Sequence, residues 1–289
     1  MLRLAVATRA ETYERIEAPL RKRGVEIGYA NLAEGAVALA DPTVESFDAG
    51  LVYPGRIPEG GVIDALLSVP WVNDRESILR SRHKAEALAR LARADVPIPE
   101  TVMLSSPVDE ADLRTAFERF DPPVVVKPNS TTRGTGIAKV HDLDSLLGVA
   151  DYLSLLHDFP ATGDRSFLLQ EYLPDARDYR AMVVDGRYAG AVERRLPERA
   201  LAGGGWKHNV HRGAEATGAA LPEDLRRLAE DAAAAIGIPY LGVDLLVTDD
   251  RAVVNETNAR PTVDDETKYE PGFYDDLAGL IRRTAERGR

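Results

Sequence analysis

The segment from residue 241 to 258, LGVDLLVTDDRAVVNETN, most constrains the fold because it places two carboxylates in one predicted hairpin. Apolar residues alternate with polar ones on both sides of residues 249–251, which predicts two antiparallel strands joined by a three-residue loop. In that register Asp244 lies directly opposite Glu256, and Asn258 shares the face of Glu256. Facing like charges destabilise a sheet, whereas a bound cation reverses the sign of the interaction.

The same three side chains predict a metal site. Asp244, Glu256 and Asn258 are hard oxygen donors with no His or Cys among them, which suits Mg²⁺ held by a few carboxylates and by substrate phosphates. Without a cation, we expect the repulsion to make this hairpin the least stable part of its domain, so that removing either charge raises the metal-free stability. A solvated hairpin edge is the alternative that this segment alone leaves open.

Composition excludes several classes of protein. The formal charge of −11 over 289 residues argues against a nucleic-acid partner, because no general surface is available to neutralise phosphates. The absence of cysteine excludes disulfides, thiol catalysis and thiolate metal sites. No run of 18 apolar residues and no signal-peptide pattern is present, so we expect no membrane partner and a cytoplasmic location.

A lysine followed by a glycine-rich loop predicts a phosphate site. Lys127 ends the apolar run VVVK, and the loop PNSTTRGTG follows, with Ser130, Gly134 and Gly136. Backbone N–H groups in such a loop can close over phosphate oxygens, and the lysine adds a point charge. An ordinary hairpin with a solvated lysine is the alternative. The loop is not a Walker motif, because Gly-Lys-Ser/Thr entering a helix is missing.

Three further segments place polar groups where they could contact a nucleotide or its phosphates. The run FLLQEYL ends an apolar strand, where free backbone groups can contact an adenine edge, although a core strand ending in a loop is the alternative. Asp178 and Arg180 begin the next strand on one face, which also suits a local ion pair. Asn209 and Arg212 lie in the basic run NVHRGA beside a glycine-rich loop. A guanidinium there could hold phosphoryl charge, or the loop could simply be solvated.

In this order, the motifs RHKAEALARL, VVVKPNSTTRGTG, LLQEYLPDARDYR, NVHRGA and GVDLL…VVNETNARP resemble those of the ATP-grasp superfamily, and within it the RimK-like amino-acid ligases. The resemblance implies an α/β (α+β) ATP-grasp fold with a small Rossmann-like pre-ATP-grasp domain before it. The implied domains are 1–81 and 82–289. The second divides into a phosphate-lid, ATP-binding subdomain at about 97–170 and a catalytic metal-binding subdomain at about 171–289.

The resemblance also implies roles for individual residues. ATP is implied as the nucleotide, with two Mg²⁺ ions, or Mn²⁺ in their place, on Asp244, Glu256 and Asn258. Arg212 and Asn209 are implied to be catalytic, with Arg212 on the reacting phosphate. The residues implied to bind ATP are Lys84, Lys127, Ser130, Gly134, Gly136, Gln170, Glu171, Tyr172, Leu173, Asp178 and Lys207.

The implied reaction is carboxylate–amine ligation through an acylphosphate, in which an amino acid is joined to a protein, peptide or cofactor acceptor. Glutamate is the favoured amino acid because Arg194, Arg195, Arg260 and Lys268 could pair with its additional carboxylate. A homo-oligomer is also expected. Two other functions stay open, a small-molecule kinase and a non-catalytic nucleotide-binding regulator.

Three departures from the family pattern put the substrate in doubt. The linker between Glu171 and Asp178 is shorter than in the ribosomal-protein-modifying members, and Lys207 stands where those members usually carry Arg. The tail after the second strand of the hairpin reads NARPTVDDETKYE, in place of their usual N-x-S-P-G.

Overall fold

The N-terminal part of the chain forms a parallel sheet, as its alternating strands and helices predict. The computed structural model describes residues 1–7, 11–30, 39–40, 45–131, 134–156, 163–207 and 213–288. The strands of this sheet, in the order β2-β1-β3-β4, are β1 (Leu2–Val6), β2 (Val25–Tyr29), β3 (Ala49–Val52) and β4 (Trp71–Asn73). The helices α1 (Glu11–Arg21) and α2 (Ile57–Leu67) connect them.

Two consecutive helices follow β4: the later one matches the helix that the sequence predicts over residues 82–94, and the earlier one was not predicted. They are α3 (Arg75–Arg82) and α4 (Lys84–Arg93), and His83 between them has an extended backbone. Asp74 begins the pair, because its side chain accepts a hydrogen bond from the Ser77 N–H at 2.8 Å. The break at His83 separates Arg82 and Lys84 onto two helices.

The second sheet is antiparallel and has the order β5-β8-β6-β7. Its elements are β5 (Thr101–Ser105), α5 (Glu110–Phe117), β6 (Val124–Pro128), β7 (Ala138–Val140), α6 (Leu143–Leu156) and β8 (Ser166–Glu171). The two helices pack on it through Leu113, Leu146 and Phe167. The predicted strand at 167–173 ends earlier, at Glu171, and β5 was not predicted because it follows a proline-rich turn without a clear alternation.

The third sheet is antiparallel and has the order β11-β10-β9-β12-β13. Its elements are β9 (Arg177–Val184), β10 (Arg187–Arg195), α7 (Glu198–Ala202), β11 (Glu215–Ala219), α8 (Glu223–Ile236), β12 (Tyr240–Val247), β13 (Ala252–Asn258), a 3₁₀ turn (Glu266–Lys268) and α9 (Phe273–Glu286). The predicted loop at 197–207 contains α7. The edge strand β11 was missed because EATGA has no apolar alternation.

In the hairpin of β12 and β13, Asp244 faces Glu256 as predicted, but the turn and the register that produce this pairing differ from the prediction. Val247 pairs with Ala252, and the Thr248 N–H donates to the Arg251 carbonyl at 2.9 Å, so the turn is shorter than the predicted three-residue loop. A β-bulge at Asn255 then shifts the register by one residue. This bulge is what brings Asp244 opposite Glu256.

The first and third sheets share a hydrophobic core. It combines residues of both sheets with α1 and α9, including Leu4, Ile16, Leu51, Val184, Tyr240, Leu277 and Ile281. Within this contact Asn73 is fully buried, and its Nδ2 donates to the carbonyls of Tyr240 at 2.5 Å and Ala259 at 2.7 Å. In the described part of the chain, no helix has the length and apolar character needed to cross a membrane.

Candidate active site

A cleft of about 920 Å³ lies where the three sheets meet. Its floor is the face of the third sheet that carries Arg180 and Asp244, and Asn258 lies at the end of β13 beside that floor. One wall is the junction of α3 and α4 with the loop after β6, including Lys84. Residues from four of the five sequence motifs, which are far apart in the chain, thus line one cavity.

Asp244 is buried, and two guanidinium groups hold its carboxylate. Arg180 lies opposite it on β9 and donates from Nε and Nη2 at 2.7 and 2.8 Å. Arg194 on β10 contacts the same carboxylate at 3.0 Å and donates to Asp178 at 2.9 Å. Burial alone raises the pKa of Asp244, but the charges of Arg180 and Arg194 outweigh it and lower that pKa to about 2.

Asp244, Glu256 and Asn258 lie together at the floor of the cleft. Their donor set, two carboxylates and one amide oxygen, fits the chemistry of Mg²⁺. The Asn258 Oδ1 accepts a hydrogen bond from the Arg260 N–H at 2.8 Å, which orients the amide. Among the described residues, no three His, Cys, Asp or Glu side chains lie together so that they could hold a metal ion, so the amide of Asn258, water or a substrate oxygen would complete the coordination of an ion here.

The two predicted phosphate lysines are both buried near this floor. Lys84 begins α4, and its Nζ lies 3.4 Å from Glu256 Oε1 and donates to the Thr131 carbonyl. Lys127 is buried in β6 and donates to Gln170 Oε1 at 2.8 Å. Burial lowers the pKa of Lys127 to about 8, and the negative charge of Glu256 offsets only part of that effect.

The three predicted residues in the loop after Lys127, which are Ser130, Gly134 and Gly136, have different surroundings. Gly134 lines the cleft. Gly136 has a φ of +76°, and a Cβ on it would stand 2.8 Å from Pro128 Cγ, so glycine is required there. Ser130 is buried and its hydroxyl donates to Asp164, so this hydroxyl is already bonded within the protein.

The predicted adenine hinge lies at the end of β8. Gln170 bridges two residues, because its Oε1 accepts from Lys127 and its Nε2 donates to Thr101 Oγ1 at 2.9 Å. Glu171 accepts from the Glu100 N–H at 2.7 Å. Its other oxygen pairs with Arg251 at the turn of the β12–β13 hairpin, so this ion pair joins the end of β8 to the hairpin that carries Asp244 and Glu256.

An aromatic corner follows the hinge. The rings of Tyr172 and Trp206 meet edge to face with centroids 5.9 Å apart, and Lys139 Nζ lies 4.4 Å from the Tyr172 centroid. Lys207 donates to the Ile137 carbonyl, so this side chain reaches the strand after the glycine-rich loop. Trp206 was not predicted, although it directly precedes Lys207 in the sequence.

The remaining predicted residues are placed as follows. Leu173 is partly buried just beyond the end of β8. Asp178 is buried and paired with Arg194 rather than with Arg180, its partner in the sequence-based interpretation of a local ion pair. Asn209 and Arg212, predicted to be catalytic, lie outside the described residues.

Three of the four basic residues predicted to pair with glutamate already pair with carboxylates of the protein. Arg194 lines the cleft and belongs to the network around Asp244. Arg195 is largely exposed and pairs with Glu193 at 2.9 Å. Lys268 lines the cleft, and its Nζ lies 2.9 Å from Asp264.

The fourth, Arg260, lines the cleft together with Arg82. Arg260 donates to the Tyr53 carbonyl, and Arg82 Nη2 donates to the Gly55 carbonyl at 3.0 Å. Burial, and then the positive charge of Arg82, lowers the pKa of Arg260 to about 10. Arg82 was not predicted as a site residue, and its position two residues before Lys84 was the signal available.

The architecture agrees with solved ATP-grasp structures. The RimK domain ATP-grasp protein from Sphaerobacter thermophilus DSM 20745 superposes with a TM-score of 0.69 at 24% identity, over 98% of both chains. D-cycloserine synthetase DcsG gives a TM-score of 0.73 at 20% identity, over 99% of this chain and 100% of that chain. At these identities the likeness shows that the chain has an ATP-grasp fold.

The sequence comparison identifies the branch. The RimK-like ATP-grasp domain model matches residues 81–272, and the chain belongs to that family. Ribosomal protein bS6–L-glutamate ligase of Escherichia fergusonii is 32% identical over 218 residues, covering 75% of this chain and 67% of that protein. A probable alpha-L-glutamate ligase of Stenotrophomonas maltophilia is 30% identical over 198 residues, covering 68% and 63%. The matched region thus spans about two thirds of the length of each of these relatives. Their names place the chain among ligases that form carbon–nitrogen bonds.

Proposed function

We propose that the protein is an ATP-dependent carboxylate–amine ligase that adds L-glutamate to a carboxylate acceptor through an acylphosphate. The observation that carries the proposal is the position of Asp244 and Glu256 face to face on the floor of the cleft, with Lys84 in its wall. The names of the relatives, which are glutamate ligases, support the choice of amino acid.

The proposed reaction has two steps. An oxygen of the acceptor carboxylate attacks the γ-phosphorus of ATP, the bond from that phosphorus to the ADP oxygen breaks, and an acylphosphate and ADP form. The amine of the amino acid then attacks the acyl carbon, the carbon–oxygen bond to phosphate breaks, and phosphate leaves as the amine loses a proton. No covalent enzyme intermediate is needed, so the protein contributes positioning and charge.

The chain offers the charges that such a reaction requires. We assign Asp244, Glu256 and Asn258 as ligands of two Mg²⁺ ions, which when bound neutralise phosphate charge. Lys84 and Lys127 are assigned to the phosphates, since Lys84 lines the cleft and Lys127 lies close enough to interact with the charges of Glu256 and Lys84.

The nucleotide is assigned to the hinge between the second and third sheets. The adenine edge is assigned to the backbone of Tyr172 and Leu173, which directly follow the last paired residue of β8, and Tyr172 supplies an aromatic face. Asp178 and Lys207 keep their assignment to the nucleotide, with Lys207 already in contact with the strand after the glycine-rich loop.

The decisive measurement separates a ligase from a kinase. With ¹⁸O in the acceptor carboxylate, one label is expected in the released phosphate, and ADP release is expected to require an amino acid. Unlabelled phosphate contradicts the acylphosphate route. Amine-independent phosphorylation of a stable product favours the kinase, and ATP binding without any turnover favours the regulator.

Variants connect the reaction to the carboxylate pair. Asp244→Asn and Glu256→Gln are expected to abolish ADP release, whereas Asp231→Asn, an exposed carboxylate on α8, serves as the matched control. Wild-type turnover in either of the first two variants contradicts the metal assignment.

Arg212 is assigned to the charge that develops on the transferred phosphate. Arg212→Gln is therefore expected to lower kcat by about 10²–10³ while changing the KM for ATP much less. Arg227→Gln on the exposed face of α8 is the control, because its side chain is 69% exposed. A loss confined to the KM for ATP contradicts the assignment.

A further inference from the structure

Two arginines meet where the cleft reaches the N-terminal sheet. Arg82 ends α3 and Arg260 follows β13, and both line the cleft. Arg82 Nη2 donates to the Gly55 carbonyl at 3.0 Å. Arg260 Nε lies 3.5 Å from the place that a Cβ on Gly55 would occupy. The two guanidinium groups therefore lie on one wall, against the loop that follows β3.

Backbone carbonyls fix the orientation of both side chains. Arg260 donates to the Tyr53 carbonyl, as Arg82 does to Gly55. A guanidinium has five N–H donors in a rigid planar fork, so a bond to one carbonyl orients the whole group toward the cleft that it lines. The pair is thus held in place before any ligand arrives, which lowers the entropic cost of binding.

The charge of Arg260 is not compensated by a carboxylate of the described chain. Across the ranges that the structure describes, no Asp or Glu oxygen lies within 4.0 Å of its guanidinium nitrogens. Its charged neighbour is Arg82, which repels it. A buried guanidinium such as that of Arg260, next to a like charge and without a carboxylate partner in the described chain, gains stability when an anion binds beside it. A carboxylate fits this geometry because its two oxygens can accept from a guanidinium fork.

Gly55 lies directly against Arg260. A Cβ at Gly55 would stand 3.5, 3.6 and 3.8 Å from the Nε, Cζ and Nη2 atoms of Arg260, in van der Waals contact with the guanidinium. The pair also adjoins the proposed reaction centre, because Arg82 precedes Lys84 by two residues and Arg260 follows Asn258 by two. An anion held here lies at the side of the reacting groups.

We propose that Arg82 and Arg260 form a carboxylate-binding site that holds a non-reacting carboxylate of the substrate. The inference rests on the proposed function for naming this anion a substrate. Both partners of the ligation carry carboxylates, so the ligand is either the incoming amino acid or the acceptor. The site positions the substrate and takes no part in bond making.

Titration calorimetry in the presence of Mg²⁺ and a non-hydrolysable ATP analogue tests the site directly. The probes are L-glutamate, which has an amine, and N-acetyl-L-glutamate, which keeps the carboxylates and lacks a nucleophilic amine. We expect at least one of them to bind the wild-type protein, and Arg82→Gln and Arg260→Gln to weaken that binding by about tenfold or more. Binding of L-glutamate alone identifies the amino acid as the ligand, and binding of both probes identifies the acceptor side.

Three further variants separate recognition from folding. Arg260→Lys keeps the charge without the fork and is expected to lose affinity for the probe partially. Gly55→Ala is expected to weaken binding of the probe, because the added methyl group would contact the guanidinium of Arg260. Arg227→Gln on the exposed face of α8 is expected to bind as the wild type does. In all of them we expect the affinity for the nucleotide analogue to stay within about threefold of wild type, which a general loss of structure would not allow.

The outcomes distinguish this site from the proposed reaction. If neither probe binds the wild-type protein, or if both glutamine variants bind as the wild type does, the carboxylate site is wrong, whatever the turnover assay shows. A loss of nucleotide affinity equal to the loss of probe affinity also overturns it. If ADP release is independent of every amino acid while the two arginines still control binding of the probe, the site stands and the ligase proposal fails.

Discussion

Arg180 and Asp244 face each other across β9 and β12, joined by two hydrogen bonds of 2.7 and 2.8 Å. The repulsion between Asp244 and Glu256 that the hairpin sequence predicts is therefore offset by cations of the protein itself. Arg194 adds a second contact to Asp244, and Lys84 lies 3.4 Å from Glu256. With these ion pairs present, we expect removal of a carboxylate to destabilise the metal-free protein, the opposite of what the hairpin sequence alone predicts.

Asp244→Asn is expected to lower the free energy of unfolding without metal by about 3 kcal/mol, because it leaves buried guanidinium charge uncompensated. Urea denaturation in a chelating buffer measures it. Glu256→Gln is the matched comparison, and since Glu256 is 32% exposed we expect a loss of about 1 kcal/mol or less. An Asp244→Asn protein as stable as the wild type would show that the ion pairs contribute nothing.

Lys127 is expected to take up a proton when ATP binds. Because burial lowers its pKa to about 8, about half of the molecules carry a neutral Lys127 at pH 8, and phosphate oxygens favour the charged form. Calorimetry in buffers of different ionisation enthalpy counts the protons. Lys127→Arg is permanently charged and should show no such uptake. Equal proton counts for the two proteins would remove Lys127 from the phosphate site.

The same shift predicts a pH dependence of stability. The folded pKa of Lys127 lies below its ordinary value of 10.5, so the unfolded chain binds more protons between pH 8 and 10.5. The contribution of Lys127 to the free energy of unfolding therefore rises with pH through that window and is constant below it. Subtracting the pH profile of Lys127→Met from that of the wild type isolates it, and a flat difference contradicts the shift.

Nucleotide binding is expected to change the fluorescence of Trp206. The chain has two tryptophans, and Trp71 is buried in the N-terminal sheet with its indole N–H bonded to Asp64 at 2.7 Å. Trp206 instead contacts Tyr172 at the proposed adenine site. We expect ATP to alter the emission of the wild type and of Trp71→Phe, and to leave Trp206→Phe unchanged. A signal that persists in Trp206→Phe would place the nucleotide elsewhere.

Gly136→Ala is expected to destabilise the loop after β6 by about 1–2 kcal/mol and to raise the KM for ATP, because of its positive φ and the contact with Pro128. Gly148 supplies the control. It lies exposed in α6, and no atom lies within 4 Å of the place that a Cβ on it would occupy, so Gly148→Ala should stabilise the protein by about 0.5–1 kcal/mol. Similar effects of the two substitutions would mean that Gly136 is not constrained.

Motif order predicted the fold better than it predicted contacts. The parallel N-terminal sheet follows from the alternation of strands and helices, and the antiparallel hairpin that carries Asp244 and Glu256 follows from the apolar alternation around the turn. The bulge at Asn255 was not predictable, because an extra residue in one strand leaves the apolar pattern of that strand nearly intact. Two compensating differences, a shorter turn and a bulge, gave the predicted partner.

The partners of the charged residues depend on which strands become neighbours. Asp178 and Arg180 are close in sequence, yet each pairs with a residue from a different adjacent strand, Arg194 and Asp244. These partners depend on the order of the strands in the sheet, and that order cannot be inferred from the local sequence. Arg82 was missed for the same reason, since Arg260 joins it only through the tertiary fold.

The buried side chain of Asn73 joins β4 to both ends of the β12–β13 hairpin. Its amide donates to the carbonyls of Tyr240 and Ala259, and it accepts from the Tyr240 N–H at 3.3 Å. We therefore expect the first and third sheets to move as one body. Any opening of the cleft for a nucleotide is then expected to come from rotation of the β5-β8-β6-β7 sheet, with the arginine pair and the carboxylate pair at a constant separation.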